Sequence, residues 1–371
     1  MADRPVLRPV PIGIIGCGKI SGAYFSGCKA YDILRLAGCA DLDVELAQRT
    51  AREQGLPFGG AVDALLARPE IEIVVNLTIP AAHAAVNRAI LRAGKHVYCE
   101  KPFALNPTDT QAVLDEAIQR GRRVASAPDT FLGSGIQTAR KLIDEGAIGR
   151  PVAALGFMLC PGHESWHPNP AFYYQAGGGP MFDMGPYYVT ALVNLLGPVT
   201  RVSGAAQTTF AERTITSEPR RGEVIPVETP THYSTTLEFA AGAVGTLVMS
   251  FDTQRFPLPH LVIFGSEGNL RVPDPNHFDG AVQLAPRGAS EYVDVPVTHA
   301  LGRARGTGVA DLAHAVQCGR AHRASGELAH HVVEVMDAAA RSPREGRHIP
   351  IRSRCERPAA VPATLPANRM D

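Results

Sequence analysis

The sequence predicts an α/β chain with an N-terminal doubly wound parallel sheet, then an α+β region built on a large, predominantly antiparallel sheet. Three observations predict it. A turn punctuated by Gly16 and Gly18 follows an apolar run that ends at Ile15. Strand-length and helix-length segments then alternate as far as Ala127, the rhythm of a parallel sheet with crossover helices. Beyond Thr200 long strands follow one another, with turns at Gly242 and Gly268, as antiparallel sheets require.

In the first region strands are expected at 12–15, 34–40, near Phe58, and at 71–78, 96–99 and 123–127. Between them fall helices from Ser21, at 44–54, 62–67 and 80–92, and from a cap at Asn106 or Thr108 to Gly121. Gly94 is placed to close the fourth. The second region reads as a helix at 135–145, a strand at 151–160, a loop rich in His, Trp, Tyr and Gly, and a helix at 185–196. Strands follow at 200–208, 232–239, 243–251 and 260–264, then helices at 309–318 and 326–340. Pro358, Pro362 and Pro366 mark an irregular tail. The expected division is 1–127 for dinucleotide binding, 128–350 for substrate binding and oligomerisation, and 351–371 as an extension, with substrate held between the first two.

A chain of 371 residues exceeds one ordinary domain. Lys+Arg and Asp+Glu are both 36 and neither forms a block, which argues against a nucleic-acid partner. The seven cysteines are scattered and lack a C-x-x-C pair, so they read as small hydrophobes in a reducing compartment. Arg4 and Arg8 stand among Pro5 and Pro9 without an apolar core of a leader, and no run is of membrane-spanning length. A soluble, cytoplasmic protein with no membrane partner is expected.

Gly16 and Gly18 remove side chains that would obstruct a pyrophosphate, and the helix from Ser21 offers its N-terminal N–H groups. A nicotinamide dinucleotide site is therefore expected at Gly16, Gly18, Lys19 and Ile20, although Ser21 stands where the fingerprint has its third glycine. Asp41, after the second strand, suits the adenosine ribose hydroxyls and would repel a 2′-phosphate; a solvated turn aspartate is the alternative. Leu42 and Asp43 add no positive charge, so NAD is favoured and NADP stays open. Thr78, Pro80 and His83 fall at the carboxyl edge of the sheet as cofactor contacts, His83 alternatively bracing its helix. Glu100 and Lys101, before Pro102, put an acid and a base where the nicotinamide would lie, with a surface ion pair as the plain alternative.

The segments Gly16-Cys17-Gly18-Lys19-Ile20, Ala93-Gly94-Lys95-His96-Val97 leading to Glu100-Lys101-Pro102, and glycines 177, 178 and 179 followed by Asp183, Gly185 and Tyr187 occur in this order. With them the chain resembles, from about Val10 to Ile351, the glucose-fructose oxidoreductase, inositol dehydrogenase and rhizopine-catabolism (Gfo/Idh/MocA) family of NAD(P)-dependent oxidoreductases. The resemblance implies that Lys101 lies by nicotinamide and the reactive hydroxyl, that a cis peptide precedes Pro102, and that Asp183 and Tyr187 line the substrate site. It also implies a homodimer or homotetramer paired through the second-domain sheet. Many relatives carry histidine where this chain has Tyr187; glucose-fructose oxidoreductases and dimeric dihydrodiol dehydrogenases carry tyrosine.

The residues support that assignment separately. On a helix Asp183 and Tyr187 share a face, and Pro186 is tolerated if it falls in the first turn; the alternative is a cap at Asp183 and a packed ring at Tyr187. A free phenol with a pKa of about 10 is a poor base, and the ammonium of Lys101 would lower it. Tyr187 is thus expected to exchange the hydroxyl proton, Lys101 to hold the substrate oxygen or relay the proton, and Asp183 to orient substrate or the Tyr–Lys pair. The loop from His163 and Glu164 through Trp166, His167, Phe172, Tyr173 and Tyr174 mixes hydrogen-bonding groups with flat rings, which suits a carbohydrate. Trp166 and His167 are the expected substrate contacts. His163, Glu164 and His167 lack a matching fourth ligand, so no metal is expected. Arg213, Glu218, Arg220, Arg221 and Glu223 are expected at the surface or in a subunit contact. The function expected is hydride transfer between nicotinamide and a secondary hydroxyl of a sugar, glycoside or cyclic polyol; the alternatives are a trans-dihydrodiol dehydrogenase and a nonenzymatic NAD-binding regulator.

Overall fold

A computed structural model describes residues 7–254 and 258–371; Arg4 and Pro5, read above for a leader, lie outside the described residues. Strand and helix alternate from the start: β1 (Val10–Ile15), α1 (Ser21–Lys29), β2 (Leu34–Ala40), α2 (Val44–Gln54), β3 (Gly59–Gly60), α3 (Val62–Leu66) and β4 (Ile73–Asn76). A short 3-10 turn at Pro80–Ala82 leads to α4 (His83–Arg92), then β5 (His96–Cys99), α5 (Pro107–Arg120) and β6 (Val124–Ser126). Side chains set the helix starts: Asp43 accepts the Leu46 N–H to cap α2, and Asn106 accepts the Asp109 N–H ahead of Pro107 in α5. The six strands pair in the order β3-β2-β1-β4-β5-β6, all parallel. β1 and β4 are buried throughout, as a sheet covered on both faces demands.

The later elements are α6 (Ser134–Asp144), β7 (Pro151–Leu159), α7 (Gly179–Leu196), β8 (Val199–Gln207), β9 (Glu212–Thr214), β10 (Val224–Pro226), β11 (His232–Phe239) and β12 (Val244–Ser250). They continue with β13 (Leu261–Gly265), β14 (Gly268–Val272), β15 (Val282–Pro286), β16 (Val293–Val295), α8 (Thr307–Cys318), α9 (Gly326–Glu345) and β17 (Ile349–Pro350). Nine strands form one sheet in the order β16-β15-β14-β13-β7-β12-β11-β8-β17. It is antiparallel except where β12 runs parallel to β7. β9 and β10 make a separate ribbon. α7 packs on β7, β11 and β12, and the Tyr188 hydroxyl donates to the Phe157 carbonyl at 3.1 Å.

Three expectations change. α7 begins at Gly179, six residues before the expected start, with Gly178 as its N-cap and Pro180 in its first turn. Pro186 is therefore interior rather than first-turn, and the helix lacks one ladder donor there. Gly268 opens β14 instead of turning the chain. Residues 351–371 hold no helix or strand, yet their later half is not a loose extension.

The compact units are discontinuous in sequence. Of the described residues, one comprises those from 7 to 134, 298–333 and 358–371; the other comprises 135–254, 258–297 and 334–357. In the first unit Met370 and Val361 are buried, and the His299 ring contacts the Val361 carbonyl at 2.8 Å. The fully buried Asp311 receives the Arg323 N–H at 2.6 Å and the Arg320 guanidinium at 2.8 Å, and pairs with the Arg323 guanidinium. Arg323 then donates to the Met370 carbonyl at 3.2 Å and the Ala360 carbonyl at 3.4 Å, tying down the tail. No helix among the described residues is long and apolar enough to cross a membrane.

Removing the carboxylate at Asp311 leaves two guanidinium groups without it in a buried setting. Asp311→Ala should cost about 3–5 kcal/mol in urea unfolding and open residues 358–371 to limited proteolysis. A loss of only about 1 kcal/mol, the level of an exposed pair, with an intact tail, would mean that packing alone holds it.

Candidate active site

In the first unit the loop after β1 is shaped by steric necessity. Gly16 has φ +100°, and a Cβ there would lie 2.6 Å from the Leu77 carbonyl oxygen, so the β1 and β4 loops are in backbone contact. Gly18 differs: a Cβ would meet nothing within 4 Å, so the protein around it does not require glycine. The open space lies beside the start of α1, which has no side-chain cap and no acid in its first turn. Gly18, Lys19 and Ile20 are exposed around this end. A bare, positively polarised helix end beside vacant space fits a phosphate group.

Asp41 secures the same loop. Its Oδ2 accepts the Cys17 N–H at 2.7 Å and its Oδ1 the Asp43 N–H at 3.0 Å. The carboxylate stays partly exposed, and each oxygen retains a lone pair for a further donor. Leu42 beside it is 96% exposed, so no cation flanks the carboxylate from that position.

At the end of β4, buried Asn76 holds the turn with both ends of its amide. Its oxygen accepts the Thr78 N–H at 3.1 Å and the Thr78 hydroxyl at 2.7 Å; its nitrogen donates to the His83 carbonyl at 3.2 Å and to Asn87 at 2.8 Å. His83 is fully buried, its Nδ1 lying 2.6 Å from the Pro102 carbonyl and its Nε2 2.9 Å from the Thr78 carbonyl. The ring thus bridges the loops after β4 and β5. Burial pushes its pKa down, opposed by these two carbonyls. These two contacts make the ring a brace between the loops. Pro80 is exposed in the turn and Thr78 is half-buried.

Glu100 is buried, accepting the Tyr24 hydroxyl at 2.8 Å on Oε1 and the Lys101 N–H at 2.7 Å on Oε2. It positions the Lys101 backbone from inside the domain rather than forming a surface ion pair. The Lys101–Pro102 bond is cis. Lys95, in the same motif, is buried with its ammonium on the Arg68 carbonyl at 2.6 Å and the Ile71 carbonyl at 2.8 Å. Desolvation lowers its pKa.

In the second unit α7 carries Asp183 and Tyr187 one turn apart, Asp183 partly exposed and Tyr187 buried. The loop after β7 approaches them through His163, whose Nε2 lies 3.6 Å from Asp183 Oδ2. Trp166, 55% exposed, meets the rings of His163 and His167, each with centroids 5.3 Å apart. The His167 ring continues to Phe172 and Tyr173, both at 5.4 Å.

Arg213 departs from the sequence expectation. On β9 it is a buried anchor: its guanidinium donates to Glu164 Oε1 at 3.0 Å and pairs with Asp252, with its side chain 11% exposed. The Tyr174 hydroxyl donates to Glu164 Oε2 at 2.6 Å, and the Thr231 hydroxyl donates to Asp252 Oδ2 at 2.8 Å. The network ties the aromatic loop to the strands. His163 and Arg213 were obscure in the sequence because what identifies them is a tertiary partner distant along the chain. Among the described residues, no group of three or more His, Cys, Asp or Glu side chains is assembled for a metal ion.

A family model described as the oxidoreductase family with an NAD-binding Rossmann fold matches residues 10–127. One described as the GFO/IDH/MocA C-terminal domain matches residues 136–271. The chain is 30% identical over 200 residues to dTDP-3,4-didehydro-2,6-dideoxy-alpha-D-glucose 3-reductase of Streptomyces violaceoruber, 54% of this chain and 58% of that one. It is 27% identical to levoglucosan dehydrogenase of Pseudarthrobacter phenanthrenivorans, over 71% of this chain and 73% of that one. With inositol 2-dehydrogenase of Pseudomonas savastanoi identity is 30%, over 38% and 43% respectively. The chain thus spans less than two thirds of the first and third of these relatives. A solved levoglucosan dehydrogenase in complex with NADH shares the fold, with a TM-score of 0.80, 22% identity, and 93% of this chain and 100% of that one covered. An NAD binding oxidoreductase from Klebsiella pneumoniae does so with a TM-score of 0.81, 22% identity and the same coverage. With the two models matched in order at residues 10–127 and 136–271, the chain belongs to the GFO/IDH/MocA family of NAD-binding oxidoreductases.

Proposed function

We propose that this protein transfers a hydride between NAD and a secondary hydroxyl of a sugar, glycoside or cyclic polyol. The braced edge running from Asp41 through the Gly16 loop, Thr78 and His83 to Lys101 carries this reading. The relatives' names, a sugar 3-reductase, a levoglucosan dehydrogenase and an inositol 2-dehydrogenase, support a polyhydroxylated substrate.

Gly16, Gly18, Lys19 and Ile20 would receive the pyrophosphate, Asp41 the adenosine ribose hydroxyls, and Thr78, Pro80 and Lys101 the nicotinamide end. His83 and Glu100 serve that end indirectly, by fixing the Thr78 and Lys101 backbones. Bound NAD supplies the hydride acceptor. Tyr187, as its phenolate, takes the substrate hydroxyl proton, Lys101 stabilises the oxygen as negative charge develops, and Asp183 fixes a neighbouring hydroxyl. Trp166 and His167 offer a ring face and a polar edge to the sugar. Asp41 favours NAD because a 2′-phosphate would meet its carboxylate. The division of labour follows the family matches, with residues 10–127 for cofactor and the region from 136 for substrate. No metal is assigned. Val152 and Val244, each 47% exposed on adjacent strands of the large sheet, support pairing of chains there, and we place the protein in the cytoplasm.

A screen of inositols, aldoses and glycosides with NAD and NADP, read by NADH absorbance with product NMR, tests the function. Turnover confined to hydrophobic trans-diols would replace it, and cofactor binding with no turnover on any of them would make it a sensor. Gly18→Ala should fold with unchanged melting temperature yet bind NADH at least about tenfold more weakly, near 1.4 kcal/mol. Gly16→Ala should lose about 1–3 kcal/mol of stability through its left-handed backbone. Unchanged NADH affinity in Gly18→Ala would remove the pyrophosphate from this loop. Asp41→Ala should weaken NAD by about tenfold, a charge-assisted hydrogen bond's worth, and raise the ratio of NADP to NAD affinity; a fixed ratio would separate Asp41 from cofactor choice. Tyr187→Phe should slow hydride transfer by about a hundredfold or more with NADH binding intact, and wild-type turnover would exclude its phenol.

A further inference from the structure

We propose that His163 is a positioning residue for Asp183, donating from Nε2 to Asp183 Oδ2 so that the remaining carboxylate oxygen faces substrate; this rests on the reading of Asp183 above. The imidazole is enclosed on three sides by rings. Tyr173 lies tilted with its centroid 4.0 Å away, Phe251 edge-on at 4.5 Å and Trp166 edge-on at 5.3 Å. Its backbone N–H is fixed to the Tyr174 hydroxyl at 3.3 Å. The side chain is 10% exposed, and both ring nitrogens are buried without a hydrogen bond. Such a group is costly unless it meets a partner. On the open side stands Asp183, with Nε2 and Oδ2 3.6 Å apart.

The surrounding charges leave this pairing intact. Glu164, the neighbouring acid, is engaged through Oε1 by Arg213 and through Oε2 by Tyr174, and Asp252 is paired with the same Arg213. A short closing movement of the His163 ring or of Asp183 would make the hydrogen bond. It would tie that carboxylate oxygen on α7 to the aromatic loop through a charge-assisted hydrogen bond. Nε2 then carries the proton and Nδ1 the lone pair.

Three variants separate the nitrogen from the ring. His163→Phe preserves the stacking and deletes the donor; His163→Gln restores a donor without the ring. His163→Phe should lower kcat/KM for the best sugar at least tenfold with unchanged NADH affinity and melting temperature, and His163→Gln should recover part of the loss. In an Asp183→Ala background His163→Phe should add nothing, because the histidine acts through the carboxylate. Wild-type kinetics in His163→Phe, or an equal loss in both backgrounds, would overturn the proposal. A second readout needs no turnover: the ring 15N resonances of His163 should move in Asp183→Ala. Resonances that stay in place would overturn the pairing even if no sugar is oxidised, whereas absent oxidation with moving resonances would count against the function and in favour of the pairing.

Discussion

The steric fit of Gly16 against the Leu77 carbonyl is the constraint on which the first unit's site depends. A side chain at Gly16 would push the β1 loop off the β4 loop, and every later contact at the sheet's carboxyl edge is built on their meeting. On one side, Asp41 grips the Cys17 N–H. On the other, Asn76 folds the Thr78 turn and His83 carries the constraint across to Pro102. Glu100 completes the chain by holding the Lys101 N–H while anchored on Tyr24. Much of the polar machinery here is inward-facing bracing, and it leaves Gly18, Lys19, Ile20, Asp41, Thr78, Pro80 and Lys101 partly or fully exposed along the edge.

The second unit uses a different device. Its helix α7 is pinned to a broad sheet through Tyr188, and its aromatic loop is pinned by an ion network around Arg213. Such a network is weak evidence for stability, because desolvation offsets much of the attraction. Its directional contacts do fix where a loop with few regular backbone bonds must run. That accounts for how Trp166 can stand half-exposed while His163, three residues earlier, is enclosed.

The parallel-sheet half was legible because local pattern and tertiary role agree there. Leu34–Ala40, Val44–Gln54 and His96–Cys99 end where apolar run, cap and glycine say they should. The large sheet was legible where alternation is strong, as in His232–Phe239, and opaque where strands are only three residues long, as in β9, β10 and β16. The true start of α7 was hidden behind three consecutive glycines and Pro180, residues that read as loop until Gly178 is seen as a cap. The motifs located Lys101, Asp183 and Tyr187 as candidates, but not the hold of Glu100 on Lys101 or the two loops that His83 joins, which depend on Tyr24 and Pro102 elsewhere in the chain. The tail from Pro358 carries no periodic signal because side chains of Arg323 and Arg303, rather than its own pattern, bind its carbonyls.

The central claim is that Lys101, once fixed by Glu100, serves hydride transfer to NAD from a secondary hydroxyl. Single-turnover NADH formation, using a sugar deuterated at the oxidised carbon, compared between the wild type and Lys101→Met, tests it most directly. The account expects a primary isotope effect in the wild type and near-complete loss of the transient in Lys101→Met, with NADH still bound. A transient of undiminished rate in Lys101→Met would contradict it.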